Sequence, residues 1–230
     1  MTLTTGGAPP RIRDPHGSLH RMLWIGGAQW AGKTTVAELI AEQHGLTVYH
    51  YDYHDARGHQ DRRIARRVAR GEPVADPTPD QAWLDRSPEE MAAETLAGFP
   101  VRFEWALDDL RALFTGRPAI AEGWGLRPEL VAPLLDSPRR MAVLVPTEDF
   151  RQRQLRTYPR AGTLKVPVSD PARAQANRVA RDRLVAEDAA RNARRLGIRV
   201  IEVDGTLDAA AVAAAVAEQF APYLDYLDKA

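Results

Sequence analysis

Residues 22–35 read Met22-Leu-Trp-Ile-Gly-Gly-Ala-Gln-Trp-Ala-Gly-Lys-Thr-Thr35. The apolar run 22–25, which ends in glycines, predicts a short buried strand. Residues 27–34 then match the P-loop pattern G-x-x-x-x-G-K-[ST] at every fixed position. Val36, Leu39 and Ile40 follow at helical spacing, and Gly45 stands where such a helix ends. A strand, a glycine-containing loop and an amphipathic helix form the context in which this pattern binds phosphate.

Each fixed position of the loop has a chemical reason. The glycines allow a tight turn whose backbone N–H groups face phosphate oxygens, and the following helix directs its positive end to the same point. Lys33 is predicted to reach the β- and γ-phosphates, and Thr34 to offer its hydroxyl to Mg2+. We therefore expect ATP with Mg2+ to bind here. The predicted nucleotide-binding residues are Gly27, Ala28, Gln29, Trp30, Ala31, Gly32, Lys33, Thr34 and Thr35.

Further strand patterns occur at residues 46–51, 118–122, 141–145 and 198–203, and helical patterns separate them. This alternation predicts an α/β P-loop NTPase fold, a three-layer sandwich around a five-stranded parallel sheet. We place the second strand beside the P-loop strand. Ser87-Pro88 is predicted to begin one helix, and a stripe of Phe103, Leu107, Leu110 and Phe114 a separate one. Asp170-Pro171 is predicted to cap a long helix, with a loop over 158–169.

The chain of 230 residues is predicted to contain one domain preceded by a short segment. Residues 1–20 are expected to be a flexible N-terminal segment, and residues 21–230 one P-loop domain. Within that domain, residues of about 56–115 are predicted to be a helical insertion that binds the acceptor. Residues of about 150–182 are predicted to be an arginine-rich lid.

Composition removes several classes of function. The formal net charge is zero, so no global field favours nucleic acid or an anionic membrane. There are no cysteines, which excludes a disulfide framework, a thiolate nucleophile and a cysteine zinc site. No apolar run has transmembrane length and no signal-peptide core is present, so we expect a cytoplasmic protein with a small-molecule partner. The oligomeric state stays open.

Two carboxylates follow strands and become candidate site residues, because ligands bind beyond the carboxyl ends of parallel strands. Asp52 is the candidate general base and metal-side ligand, with capping of a turn as the alternative and Asp55 as a second choice. Glu122 is the candidate acceptor or metal ligand. Arg127, just beyond it, is a candidate acceptor contact.

Residues 150–169 contain five cations and no carboxylate. Because exposed helices normally mix signs, unpaired arginines favour a polyanionic ligand over a solvated basic surface. We predict that Arg153 and Arg156 neutralise charge on the transferred phosphoryl group, and that Arg178 and Arg181 complete the clamp. The other cations of this segment are Arg151, Arg160 and Lys165.

Two further features receive structural interpretations. The basic stretch 61–70 is expected to be a solvated helix face, with binding of an anionic acceptor as the alternative. His50, His54 and His59 could suggest a metal site, but structural or incidental roles are preferred.

The P-loop, Asp52 and the Glu122-Gly123 turn together resemble the P-loop kinases of small molecules: shikimate kinase, chloramphenicol phosphotransferase, uridine kinase and the nucleoside monophosphate kinases. Asp52 lies where shikimate kinase carries an aspartate that contacts the acceptor hydroxyl or the metal, and Glu122-Gly123 is similar to the acidic-glycine turn of uridine kinase. The arginines after the fourth strand resemble the mobile lid of these kinases. The resemblance implies a nucleotide-kinase-like fold and transfer of the γ-phosphoryl group of ATP to a hydroxyl of a small molecule, with Asp52 as base. The alternatives are a nucleoside or nucleotide kinase and a regulatory P-loop module that binds ATP without transfer.

Overall fold

A computed structural model describes residues 14, 15, 17–113 and 118–224, without the side chain of Arg160. All strand pairings in this part of the chain are parallel, and the sheet order is β2-β3-β1-β4-β5. The predicted fold class, a five-stranded parallel sheet with helices on both faces, is therefore confirmed. The strands are β1 Met22–Gly27, β2 Thr47–His50, β3 Ala119–Glu122, β4 Met141–Pro146 and β5 Arg199–Val203.

The helices of the described residues occupy the segments between the strands and the end of the chain. They are α1 Lys33–His44, α2 Tyr51–Tyr53, α3 Gln60–Ala69, α4 Pro79–Trp83, α5 Pro88–Ala112, α6 Pro128–Val131, α7 Glu148–Thr157, α8 Pro159–Gly162, α9 Pro171–Arg195 and α10 Ala209–Leu224. A single π-helical turn, His54–Gly58, joins α2 to α3. None of these helices is long and apolar enough to cross a membrane.

Successive residues of β1 point to opposite faces of the sheet, as the strand period of two requires. Leu23 and Ile25 pack with α1 and α10 in one apolar cluster. Trp24 packs on the other face, against α5 and α9. The P-loop strand is thus covered on both sides, which fixes the position of the loop that follows it.

The predicted place of the second strand was wrong, because β3 lies between β2 and β1. Burial explains the order. All four residues of β3 are buried, whereas Thr47 in β2 is exposed and its neighbours Val48 and His50 are only half-buried. The more apolar strand takes the inner position and the more polar strand takes the edge.

The two predicted helices of the insertion are one helix, α5, which passes through Pro100. Ser87 and Glu90 form the predicted capping box at its start. A proline in a helix interior costs about 3 kcal/mol or more. The buried side chains Phe99 and Phe103 on either side of Pro100 offset this cost by packing in the core. Phe114, predicted to extend the stripe, lies outside the described residues.

The segment after β4 is also more helical than predicted. Thr147 caps α7 by accepting a hydrogen bond from the backbone of Phe150, and α8 occupies the start of the predicted loop 158–169. Asp170 caps α9 as predicted, by accepting a hydrogen bond from the backbone of Arg173. The predicted N-terminal segment falls largely on residues 1–13 and 16, which lie outside the described residues.

Candidate active site

A cleft of about 950 Å³ lies at the carboxyl end of the sheet. It brings together the P-loop and both predicted strand-end carboxylates, which come from segments far apart in the chain. Its lining residues are Gln29, Trp30, Gly32, Lys33, Thr34, Thr35, His50, Asp52, Tyr53, Asp55, Ala56, Glu122, Trp124, Phe150, Gln154, Tyr158 and Ala209.

The P-loop is held by backbone hydrogen bonds and by its own lysine. The N–H of Ala28 donates to the carbonyl of Leu144 in β4 at 2.8 Å. Gly32 adopts a left-handed conformation, φ +79°, immediately before α1 begins at Lys33. The Lys33 ammonium is buried and donates to the carbonyl of Ala28 at 2.7 Å. The lysine therefore stays inside the curve of the loop, where a phosphate ligand would meet it.

Trp30 has the one positive φ, +64°, of any non-glycine residue in the described part of the chain. A bulky residue in this left-handed backbone conformation costs about 1–3 kcal/mol, and it persists only where contacts with the rest of the fold hold it in place. Its indole lines the cleft, and the guanidinium of Arg178 in α9 lies 6.0 Å from the ring centroid. The loop thus carries local strain at the point where it faces α9.

Asp52 lies in α2 and its Oδ1 accepts a hydrogen bond from the backbone of Trp124 at 3.1 Å. Gly123, at φ +151°, makes this approach possible, because a Cβ there would lie 2.8 Å from Asp52 Oδ1 and 2.6 Å from Tyr51 Cβ. Burial raises the pKa of Asp52, and the nearby Glu122 adds to the rise while Lys33 opposes it. A carboxylate with a raised pKa is a better proton acceptor at neutral pH.

Glu122 ends β3 beside the P-loop strand, and only 2% of its surface is exposed. Its Oε1 lies 2.9 Å from His50 Nδ1. Its Oε2 is buried and has no hydrogen-bond partner among the described residues. A buried carboxylate oxygen without a partner is costly unless a ligand, ion or ordered water satisfies it.

The residues that could hold Mg2+ are Thr34, Asp52 and Glu122, which all line the cleft. The described residues contain no cluster of three or more His, Cys, Asp or Glu side chains of the kind that forms an all-protein metal cage. Mg2+ at a phosphate site is usually bound by one or two protein oxygens together with phosphates and water. The unpartnered Glu122 oxygen and the Thr34 hydroxyl fit this donor set.

Arg127 does not line the cleft, contrary to its predicted role as an acceptor contact. Its side chain is 1% exposed and lies between α6 and α9. It donates to Asp188, to the carbonyl of Val185 at 3.0 Å and to Glu129 at 3.2 Å. These partners occupy the guanidinium, so we place Arg127 outside the candidate site.

The predicted catalytic arginines of the lid also lie outside the lining. Arg153 donates to the carbonyl of Asp204, and Arg156 is exposed and lines a separate cavity between α7 and α9. Arg151 is buried and pairs with Glu148 at 2.8 Å. The side chain of Arg160 lies outside the described residues.

Sequence reasoning missed three lining residues from the same segment: Phe150, Gln154 and Tyr158. Their i, i+4, i+8 spacing was the available signal, because it places them on one face of α7 and its C-cap. The charge of Arg153 and Arg156 does not indicate this face of the helix.

The histidines and Asp55 belong to networks at the base of the cleft. Asp109 accepts from the Tyr49 hydroxyl at 2.8 Å and lies 2.8 Å from His59 Nε2. Burial raises the pKa of Tyr49 above its ordinary value. His54 stacks on Tyr49, so these contacts hold α2 and the π turn against α5. Asp55, 6% exposed, pairs with Arg102 at 2.8 Å.

Comparison with solved structures finds kinases at low sequence identity. Shikimate kinase from Acinetobacter baumannii, in complex with shikimate, is 15% identical over 87% of this chain and 93% of its own, with a TM-score of 0.45. A gluconokinase from Sinorhizobium meliloti 1021 is 16% identical over 90% and 94%, with a TM-score of 0.42. No protein-family model and no curated protein matches the sequence. Because these structures are distant, function rests on the residues of the cleft.

Proposed function

We propose that the chain is an ATP-dependent kinase that transfers the γ-phosphoryl group to a hydroxyl of a small molecule. The observation that carries the proposal is the shared cleft, in which the P-loop, Asp52 and Glu122 face the same space. A P-loop alone is common to switches, ATPases and kinases. A carboxylate with a raised pKa beside the phosphate cradle adds the group that an acceptor hydroxyl requires.

In this proposal different residues of the cleft bind the phosphates, the metal ion and the nucleoside. The backbone amides of residues 27–34 surround the β- and γ-phosphates, and Lys33 leaves the Ala28 carbonyl to donate to them. Thr34 and Glu122 hold Mg2+, which when bound neutralises charge on the phosphates. Phe150, Gln154 and Ala209 form the wall beyond the loop, where the nucleoside would lie.

Asp52 accepts the proton of the acceptor hydroxyl as the new bond from oxygen to the γ-phosphorus forms. The bond between that phosphorus and the bridging oxygen breaks, and ADP leaves with the electron pair. The insertion, residues of about 56–115, supplies part of the acceptor wall through Ala56. Residues of about 150–182 act as a lid, and water exclusion by Tyr158 limits hydrolysis. Arg153 and Arg156 would reach the phosphates only if the lid moved.

Titration of the chain with Mg2+ and a non-hydrolysable ATP analogue tests the nucleotide half of this proposal. We expect one site in the wild type and at least about 100-fold weaker binding in Lys33→Met, because the β- and γ-phosphates lose their buried cation. Arg139→Met, which removes an exposed cation before β4 and outside both the lining and the lid, is the control and should bind as the wild type does. Equal affinity in Lys33→Met and the wild type would contradict the proposal.

A further inference from the structure

The sheet holds the backbone of Glu122, the proposed metal-side carboxylate, from both sides. Glu122 is the register partner of Ile25 in β1 and of His50 in β2. The N–H of the next residue, Gly123, donates to the carbonyl of Ile25 at 3.1 Å. These contacts fix where the Glu122 side chain begins. They leave the orientation of its carboxylate open, because the last torsion of a glutamate side chain has a broad and nearly twofold distribution.

A histidine on the neighbouring strand contacts this carboxylate. The Nδ1 atom of His50 lies 2.9 Å from Glu122 Oε1. The two residues are register partners in parallel strands, so their side chains leave the same face of the sheet and lie side by side. In the described part of the chain, His50 is the one side chain for which a hydrogen bond to the Glu122 carboxylate is found. This bond therefore selects the orientation of the carboxylate.

The fold itself has little need of the hydrogen bond between His50 and Glu122. Four register pairs already join β2 to β3, from Thr47 with Ala119 to His50 with Glu122. His50 is also the N-cap residue of α2, but its side chain makes no capping hydrogen bond. The imidazole lines the cleft, and 37% of the His50 side chain is exposed. A half-exposed imidazole that bonds a buried carboxylate at the edge of the cleft points to a role in the site.

The hydrogen bond makes the two oxygens of Glu122 unequal. Oε1 is occupied by His50, whereas Oε2 is buried and has no partner among the described residues. Mg2+ requires near-ideal octahedral geometry and binds one or two carboxylates together with phosphates and water. A carboxylate with one oxygen held in place offers its other oxygen to the ion at a fixed position. Such outer hydrogen bonds orient metal ligands, and their removal typically lowers metal affinity or activity 10–100-fold.

We infer that His50 is a positioning residue for the magnesium site. Its Nδ1–H donates to Glu122 Oε1, because an ionised carboxylate only accepts hydrogen bonds, and Oε2 is thereby left to bind Mg2+. His50 acts through Glu122 and is not itself a metal ligand. This inference rests on the proposed function, which assigns Glu122 to Mg2+.

A matched pair of variants isolates the hydrogen bond from the bulk of the side chain. His50→Asn keeps an N–H donor near the position of Nδ1, so it can still donate to Glu122 Oε1. His50→Leu has a side chain of similar size and shape but no donor. Glu122→Gln and the double variant His50→Leu/Glu122→Gln complete a double-mutant cycle, which measures whether the two residues act through each other.

The measured quantity is the factor by which Mg2+ tightens binding of a non-hydrolysable ATP analogue. It is the ratio of the dissociation constants in EDTA and in Mg2+. We expect this factor to be about tenfold or more smaller in His50→Leu than in the wild type, and His50→Asn to recover most of it. Binding in EDTA should stay at the wild-type value in both variants, because the P-loop is unchanged. In the Glu122→Gln background, His50→Leu should lower the factor no further.

A structural role for His50 predicts different results. The Mg2+ factor of His50→Leu would then equal that of the wild type, while urea denaturation would show a lower free energy of unfolding. That result would overturn the inference, as would a His50→Leu chain that does not fold. An Asn variant as impaired as the Leu variant would show that the hydrogen bond is not what matters. An equal effect of His50→Leu with Glu122 and with Gln at position 122 would show that His50 does not act through Glu122.

Failure of the proposed function gives a separate result. A wild-type chain that binds no analogue, with or without Mg2+, would contradict nucleotide binding itself. Analogue binding that Mg2+ tightens equally in the wild type and in His50→Leu would leave the proposed function standing and overturn only the role of His50.

Discussion

Asp52 reaches the cleft because a glycine lies where any larger residue would displace it. Gly123 leaves the space in which Asp52 Oδ1 accepts the backbone hydrogen bond of Trp124. That bond orients the carboxylate, while burial and Glu122 raise its pKa. The position of the Asp52 carboxylate and its affinity for a proton thus both depend on the turn after β3.

Replacement of Asp52 by Asn tests its role as base. Asn keeps the shape but cannot accept the hydroxyl proton at neutral pH, so we expect transfer to fall about 100-fold or more. ATP affinity should stay near the wild-type value. Asp55→Asn is the comparison, because Asp55 is paired with Arg102 and should affect acceptor binding more than the chemical step.

The same Asp52→Asn experiment distinguishes a base from a metal ligand and from a turn cap. If Asp52→Asn also lost Mg2+-dependent ATP binding, Asp52 would be a metal ligand. Transfer at the wild-type rate would contradict the assignment of Asp52 as base, and the residue would be a turn cap, since Asn caps about as well as Asp.

Trp30 offers a stability test of strain in the P-loop. Both Trp30→Ala and Trp30→Gly remove the indole, but only glycine adopts a φ of +64° without steric cost. We therefore expect Trp30→Gly to unfold with a free energy about 1 kcal/mol higher than Trp30→Ala, as measured by urea denaturation. An alanine variant as stable as the glycine variant would show that the loop relaxes when the indole is removed.

The sequence was most informative where chemistry is local. The P-loop spacing and the two strand-end carboxylates follow from positions along single strands, and Lys33, Asp52 and Glu122 line one cleft. The role predicted for Arg127 is wrong because its partner Asp188 lies in another helix, and pairing across the fold has no local signal. Phe150 and Gln154 line the cleft through their helical spacing, which the charge of the neighbouring arginines does not indicate.

At the scale of elements, Arg127 joins α6 to α9 through a buried ion pair. Removal of Arg127 takes away the hydrogen bonds to Asp188 and Glu129 while Asp188 keeps its pair with Arg191, and a hydrogen bond to a charged group contributes about 1.5–3 kcal/mol. We expect Arg127→Met to lower the free energy of unfolding by this order while the folded protein keeps its ATP affinity. A loss of ATP binding without a loss of stability would contradict the structural role.

The matched control for this pair uses the same carboxylate. Arg191 bonds Asp188 at 2.6 Å, but its side chain is 69% exposed. Exposed ion pairs contribute about 0–1 kcal/mol, so Arg191→Met should change the free energy of unfolding by less than about 1 kcal/mol. Similar losses in both variants would contradict the importance of burial.

The segment α7–α8 is the element whose movement the proposal requires. Arg156 is exposed on α7, so trypsin can reach it without nucleotide. We expect Mg2+ and a non-hydrolysable ATP analogue to slow cleavage after Arg156, because closure over the triphosphate would bury it. Cleavage after the exposed Arg70, which ends the basic helix α3, is the internal control and should not change. Equal cleavage at Arg156 in both states would contradict a closing lid.

Helix boundaries near caps were predictable, and helix continuity was not. Ser87 and Asp170 each form the cap that their sequences indicated. The continuity of α5 through Pro100 depends instead on core contacts of Phe99 and Phe103, which the local sequence does not contain. Tertiary packing therefore keeps α5 continuous at Pro100, where local helix propensity predicts a break.

At the scale of the whole molecule, the strand order determines what meets the P-loop. Insertion of β3 between β2 and β1 places Glu122 next to the P-loop strand and Asp52 one strand further away. Alternating strands and helices predicted five parallel strands, but the order depends on which strand is buried on both sides. Glu122 therefore comes from the strand beside the P-loop strand and Asp52 from the end of the next strand, which suits one metal-side and one acceptor-side role.

The most direct test of phosphoryl transfer follows the γ-phosphorus itself. The wild-type chain, Mg2+ and ATP are incubated with a deproteinised metabolite extract, and 31P NMR records the products, with Asp52→Asn as the control. Transfer to a hydroxyl predicts that ADP appears together with an equal amount of a new phosphate monoester, and that both are suppressed about 100-fold in the variant. ADP accompanied only by inorganic phosphate would identify an ATPase or switch and contradict the kinase assignment.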